Sequence, residues 1–236
     1  IKRVIINHMK IATILPYKEN YTVSKAQAAA IWVSDFFKFS KYKNQTFIYG
    51  NTKTNDYLTK NYSNIKINSY RTKFTSTTKE YCNNFIKKTK NKNFDIIEIH
   101  NRPEVFNLLK PNFNSKFILY FHNDPLSMNG SKSDIERIKL LELCSKIVFN
   151  SQWSKDRFLS DIDEIYIKST KLIVIRQSTD PQKVNINNKE KIITFVGKLN
   201  RAKGYDVFGA TILEILNKYK DWKAIVIGDE ERERIL

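Results

Sequence analysis

The chain of 236 residues has two cysteines, six glycines and five prolines, and it sets 24 acidic side chains against 41 basic ones. Each scarcity removes a class of answer. Cys82 and Cys144 sit in apolar helical stretches and match no metal or redox spacing, so they read as free thiols of a reducing compartment. The glycines form neither Gly-x-Gly-x-x-Gly nor Gly-x-x-x-x-Gly-Lys-Ser/Thr, which takes away the usual signatures of dinucleotide binding and triphosphate hydrolysis. Gly-x-Ser-x-Gly is missing as well. The carboxylates are dispersed, with no acid–base pair and no metal cluster among them. No apolar run approaches the roughly 20 residues that span a bilayer. Residues 1–8 hold too short an apolar stretch for a signal peptide. Met9 directly precedes a clean strand and reads as the natural start, with residues 1–8 an upstream extension. At the other end Leu236 falls inside what reads as a helix from Glu230 onward, so the chain reads as cut short.

The shortage of acid leaves a formal charge of +17. That surplus favours anionic partners: nucleotide sugars, phosphorylated acceptors, an anionic membrane surface or nucleic acid. The lysines are scattered rather than gathered on one helix face, which argues against a nucleic-acid stripe. Richness in Lys, Asn and Ile also looks like the bias of an A+T-rich coding sequence.

What is present is a regular alternation of apolar runs and helical patterns. Strands are expected at 10–15, 45–49, 64–67, 94–99, 116–121, 146–149 and 171–175, and helices at 24–39, 77–90, 103–110, 133–144 and 152–160. Ser133-x-x-Glu136 has the spacing of a capping box. Continuous rather than alternating apolar strands fit burial on both faces, hence a doubly wound parallel α/β domain over 9–185. The polar stretch 180–190 reads as a linker. A second unit over 186–236 then opens with strand 191–196, a basic turn, helix 205–219 and strand 223–227.

That basic turn, Gly197-Lys-Leu-Asn-Arg-Ala-Lys-Gly204, is the most informative stretch. Gly197 lets a backbone approach a ligand, the following helix offers unpaired N–H groups, and Lys198, Arg201 and Lys203 add charge, as a diphosphate needs. The same pattern also serves as an ordinary solvated strand–helix connection. Gly228, with Asp229 and Glu230, ends strand 223–227 and gives a second backbone-accessible strand end.

Two of the three histidines sit at strand carboxyl ends, where open α/β sheets bind ligands. His100 leads into Asn101-Arg102-Pro103, and His122 into Asn123-Asp124-Pro125. At the same edge, Asn150 and Ser151 follow strand 146–149, although Ser151 also suits a helix cap. Arg176-Gln-Ser-Thr-Asp180 either lines the cleft or forms a hinge. Lys18 and Glu19, after the first strand, are either substrate contacts or parts of a solvated loop.

Val196-Gly-Lys-Leu-x-x-x-Lys-Gly204 and Ile225-Val-Ile-Gly-Asp229 resemble the opening of the carboxyl-terminal domain of retaining GT-B glycosyltransferases, the group of lipopolysaccharide-core glucosyltransferases and phosphatidylinositol mannosyltransferases. Ile99-His-Asn-Arg-Pro103, Phe121-His-Asn-Asp-Pro125 and Asn150-Ser-Gln-Trp153 fit that family's acceptor domain, so the similarity runs from Met9 to Leu236. The resemblance implies two Rossmann-like domains, a nucleotide sugar as donor, a cell-envelope glycan or glycolipid as acceptor, and no metal or other cofactor. It implies that Lys203 and Gly197 hold the diphosphate, and that His100, or alternatively His122, is the cleft histidine beside the transferred sugar. Lys198 stands where the family usually has Arg, keeping charge but losing a bidentate fork. The family's Glu-x-x-x-x-x-x-x-Glu motif would lie beyond Leu236, so the 236-residue chain is expected to be inactive alone. The implied setting is the cytoplasm, with peripheral docking on the inner membrane face. A GT-B-shaped nucleotide-sugar epimerase is the nearest alternative, and a basic nucleic-acid-binding protein the more distant one.

Overall fold

The computed structural model describes residues 9–178, 183, 185 and 187–229. The readings at residues 1–8 and from Glu230 onward lie outside the described residues. The boundary expected at 185/186 falls in a stretch of which residues 179–182, 184 and 186 also lie outside them. The chain divides into two compact units, residues 1–179 and 180–236.

The first unit is built on seven parallel strands: β1 (Ile11–Ile14), β2 (Thr46–Gly50), β3 (Tyr62–Asn64), β4 (Ile96–His100), β5 (Lys116–Phe121), β6 (Lys146–Phe149) and β7 (Leu172–Val174). Their order is β3-β2-β1-β4-β5-β6-β7, so successive connections leave β1 in opposite directions and make a switch point between β1 and β4. The helices are α1 (Ala28–Phe39), α2 (Thr77–Lys88), α3 (Pro103–Leu109), α4 (Asp134–Leu143), α5 (Gln152–Leu159) and α6 (Glu164–Ile167).

Strand side chains alternate between two faces, and the buried clusters divide accordingly. Ala12, Ile14, Tyr49, Ile97, Ile99, Phe117, Leu119, Phe121, Ile147 and Phe149 pack with side chains of α2 through α5. Leu15, Ile48 and Tyr62 instead pack with Ala30 and Val33 of α1. Apolar on both faces, these strands read as continuous runs, the mark of a covered parallel sheet.

Three helix starts are fixed by serines. Ser76 accepts from the Lys79 amide at 3.2 Å, and Ser151 from the Ser154 amide at 3.1 Å. Ser133 and Glu136 close the expected capping box, with Glu136 N–H to Ser133 Oγ at 3.2 Å and Ser133 N–H to Glu136 Oε2 at 3.1 Å. Two expectations are corrected in detail, and one element is added. α1 begins at Ala28 rather than near residue 24, because Ser24 is drawn to the Asp56 carboxylate at 2.7 Å and Thr22 bridges Tyr57. β3 pairs over 62–64 rather than 64–67, with the Ile65 amide closing the ladder on Gly50 O at 2.7 Å. The one-turn α6, capped by Asp163, has no counterpart in the sequence reading.

The second unit pairs β8 (Ile192–Val196) with β9 (Lys223–Ile227) in parallel and lays α7 (Tyr205–Lys218) against them. Along and just after α7, Ile212 is buried, Phe208, Ile215 and Leu216 are half-buried, and Tyr219 is exposed. No helix among the described residues is long and apolar enough to cross a membrane.

Candidate functional site

His100 ends β4 opposite Tyr120 of β5, so His122, two residues after Tyr120 and just past the end of β5, emerges on the same sheet face. That register brings the two rings together, with His100 Nδ1 2.9 Å from His122 Nε2 and the planes stacked 14° apart. His100 also stacks on Tyr120, centroids 4.5 Å apart. Trp32 of α1 leans on all three rings at 5.1–5.6 Å.

The backbone around the pair is pinned. Asn101 takes the left-handed region at φ 56°, which Asn tolerates better than bulkier residues, and its amide donates to Tyr120 O at 2.7 Å. From there Asn101 Oδ1 accepts the His122 amide at 3.2 Å, and Asn150 Nδ2 donates to His122 O at 2.7 Å. Asn150 Oδ1 meanwhile accepts from Ser154 Oγ at 2.8 Å. Both ends of the Asn150 amide are therefore engaged within the protein. Gln177 Nε2 donates to His122 Nδ1 at 2.8 Å from beyond β7.

Beneath the histidines lies Glu98, on the same face of β4 two residues earlier. It accepts from Thr13 Oγ1 at 2.7 Å and from Tyr120 OH at 3.2 Å. Burial raises its carboxyl above the usual range, while those two hydrogen bonds work against the rise. Burial, with a smaller contribution from His122, drives His100 well below an ordinary imidazole. Burial alone holds His122 down to about 4. Both rings are neutral at neutral pH.

The other residues singled out in the first unit separate into two groups. Lys18, Arg102 and Asn123 line one pocket with Tyr17, Thr78, Glu104 and Ser127, at the carboxyl edge beside the switch point. The Arg102 guanidinium donates through Nη1 to Asn101 O at 2.7 Å, and the Lys18 ammonium stands 5.9 Å above the Tyr17 ring. Asp124 and Ser151 are caps. Asp124 Oδ1 accepts the Leu126 amide at 3.0 Å and faces Arg157 Nε at 3.5 Å, and Ser151 starts α5. Glu19 lies half-buried in the loop after β1. Among the described residues no three His, Cys, Asp or Glu side chains gather as a metal site requires.

In the second unit, β8 is followed by the short basic turn and the helix from Tyr205 read from the sequence. A single 3-10 turn, Arg201–Lys203, precedes α7, and Asn200 caps it by accepting the Lys203 amide at 3.2 Å. Gly204 then turns through φ 74°, which favours glycine, and α7 follows. The two strand-end glycines differ. A Cβ at Gly228 would fall 1.7 Å from Gly197 O, so packing alone demands glycine there. At Gly197 a Cβ would meet only the Phe195 ring at 3.6 Å and Lys203 Cβ at 4.0 Å, ordinary contacts, so packing does not demand it. Lys198 and Lys203 are exposed, whereas Arg201 pairs with Asp206 at 3.4 Å.

Sequence reasoning named Gln177 only within a segment that either lines the cleft or forms a hinge, and passed over Trp32, Glu98 and Tyr120. Glu98 carried a signal: an acid inside an apolar strand, two residues before a histidine, shares that histidine's face.

No family model matches the chain, and no curated protein matches it in sequence. Solved structures do match. Sucrose-phosphate synthase from Thermosynechococcus elongatus superimposes with a TM-score of 0.66 at 13% identity, over 95% of this chain and 64% of that one. The Anabaena protein HepE in complex with UDP-glucose gives 0.63 at 12% identity, over 93% and 60%. A glycosyltransferase from Rickettsia africae gives 0.60 at 17% identity, over 95% and 62%. A UDP-N-acetylglucosamine 2-epimerase lies further off, at 0.53 and 13% identity, over 92% and 62%. The chain thus spans about 64% or less of the length of these neighbours. The fold is α/β of the GT-B type.

Proposed function

We propose that this chain is part of a retaining glycosyltransferase that moves a sugar from a nucleotide-diphosphate donor onto a cell-envelope glycan or glycolipid. The observation that carries the reading is Gly197, a glycine at a strand end that the surrounding packing does not require, beside two exposed lysines. The fold shared with HepE, solved with UDP-glucose, supports the same reading.

Sugar transfer with retention builds positive charge on the sugar ring and negative charge on the departing diphosphate. Preorganised cations and backbone N–H groups aimed at that oxyanion are the strongest aid a protein can give. Lys203, Lys198 and the first turn of α7 take that role, and Arg201 lends charge while tied to Asp206. The acceptor hydroxyl attacks from the leaving-group face, and a phosphate oxygen takes its proton. No metal enters the scheme. Of the two histidines, His100, or alternatively His122, is the one beside the sugar. The Lys18–Arg102–Asn123 pocket receives the acceptor. The basic chain docks on an anionic inner membrane face, in the cytoplasm.

The test is donor binding by thermal shift, screening UDP-, GDP- and ADP-sugars beside Lys203→Ala. Stabilisation by one nucleotide class, lost in the variant, is the expected result. No shift with any of them overturns the reading. The likeness to the epimerase keeps one alternative, which incubation with UDP-N-acetylglucosamine alone separates: an epimerised product without acceptor belongs to it.

A further inference from the structure

We infer that Gln177 is a positioning residue that decides which nitrogen of His122 carries the proton, through a directed chain running from Gln177 to His122 to His100. An amide nitrogen can only donate. With Gln177 Nε2 2.8 Å from His122 Nδ1, that ring nitrogen is a lone pair. A neutral His122 then carries its proton on Nε2 and donates across 2.9 Å to His100 Nδ1. His100 in turn carries its proton on Nε2, the atom that is buried with no hydrogen-bond partner. One side chain at the rim therefore sets the polarity of two rings.

The ring of His122 is well placed to be set in this way. Its backbone is clipped on both sides, by Asn101 at the amide and Asn150 at the carbonyl. Its flank meets Trp32 nearly edge-on, at 5.1 Å and 69°. Neither rotation of the ring nor a shift of the loop offers an easy alternative pairing. Gln177 itself is exposed and lies three residues beyond β7, so the nitrogen it covers is on the solvent side.

On the glycosyltransferase reading, on which this consequence rests, the His122 ring has its one proton committed to His100 and none to give a ligand.

The experiment reads proton positions directly and needs no sugar, so its outcome is separate from that of donor binding. The full chain is labelled with 15N-histidine; it has only three histidines, and long-range 1H–15N spectra at neutral pH distinguish the two ring nitrogens of each. In the unmodified protein His122 and His100 should both be protonated at Nε2 and not at Nδ1. Gln177→Glu replaces the donor by a group that only accepts, so His122 Nδ1 should gain a proton. Gln177→Met, which neither donates nor accepts well, should leave His122 a mixture of both forms. A protonated Nδ1 in the unmodified protein, or an Nδ1 still bare in Gln177→Glu, overturns the inference. Loss of donor binding with these proton positions intact would remove the functional reading and leave Gln177 in its role.

Discussion

Phe149 in β6 and Phe195 in β8 are both aromatic residues near the end of a parallel strand, and their surroundings differ sharply. Phe149 is fully buried, stacked on Phe121 at 5.6 Å and tilted against Phe158 at 5.3 Å. Phe195 is only half-buried and meets Tyr205 and Phe208 at 5.4 and 5.2 Å. β6 has a strand on each side, whereas β8 pairs with β9 alone among the described residues. In consequence Ile225, Val226 and Ile227 remain 42%, 42% and 55% exposed, although their sequence is as apolar as that of any strand in the first unit. Hydrophobicity marks a strand; the number of neighbours decides whether it forms core.

The widest effect should come from emptying each aromatic site. Phe149→Ala is expected to cost about 3–5 kcal/mol, and Phe195→Ala about 1 kcal/mol, in urea unfolding followed by circular dichroism. Equal losses would break the contrast between the units.

Next comes acidity, which acts on the first unit through its two depressed imidazoles, His100 and His122. An imidazole held near 4 in the folded state and titrating near 6.5 when unfolded binds its proton more readily in the unfolded chain. Stability should therefore fall as pH drops from about 6.5 toward 4, by about 2–3 kcal/mol for this group. His122→Gln should flatten that part of the curve. An unchanged slope would mean that His122 titrates normally.

Smaller again is the charge in the second unit. Lys203→Ala should weaken nucleotide-sugar binding about 10- to 100-fold, the worth of one charge-assisted contact. Arg102→Gln, in the first unit, should leave donor affinity as it was and reduce acceptor affinity. Isothermal titration with each substrate separates the two, and a donor defect in Arg102→Gln would contradict the division of labour. The least effect belongs to the caps: Ser133→Ala should cost about 1 kcal/mol of first-unit stability, by the same urea experiment.

Much of the fold was legible because its strands are continuous apolar runs bounded by turns, and two of its helices announce themselves with Ser133 and Ser151. The exceptions have tertiary causes. Residues 24–27 have a helical composition, but Asp56 claims Ser24 from far along the chain. β3 is an edge strand with one partner, so its ends are set by β2 rather than by its own sequence. The site was legible as positions, not as contacts. Strand ends gave His100 and His122, but their pairing depends on β4 lying beside β5 in one register. Gln177 needed the far edge of the sheet to fold back within reach, which no local pattern encodes.

Both cysteines lie in the first unit, Cys82 in α2 and Cys144 at the end of α4, and both are buried with thiols pushed up to about 12 by burial. A thiol so protonated is a poor nucleophile. The native protein should thus tolerate air and alkylating reagents. A timed pulse of maleimide then becomes a clock for the opening of the first unit, silent to anything that happens in the second, where the chain has no sulfhydryl to label.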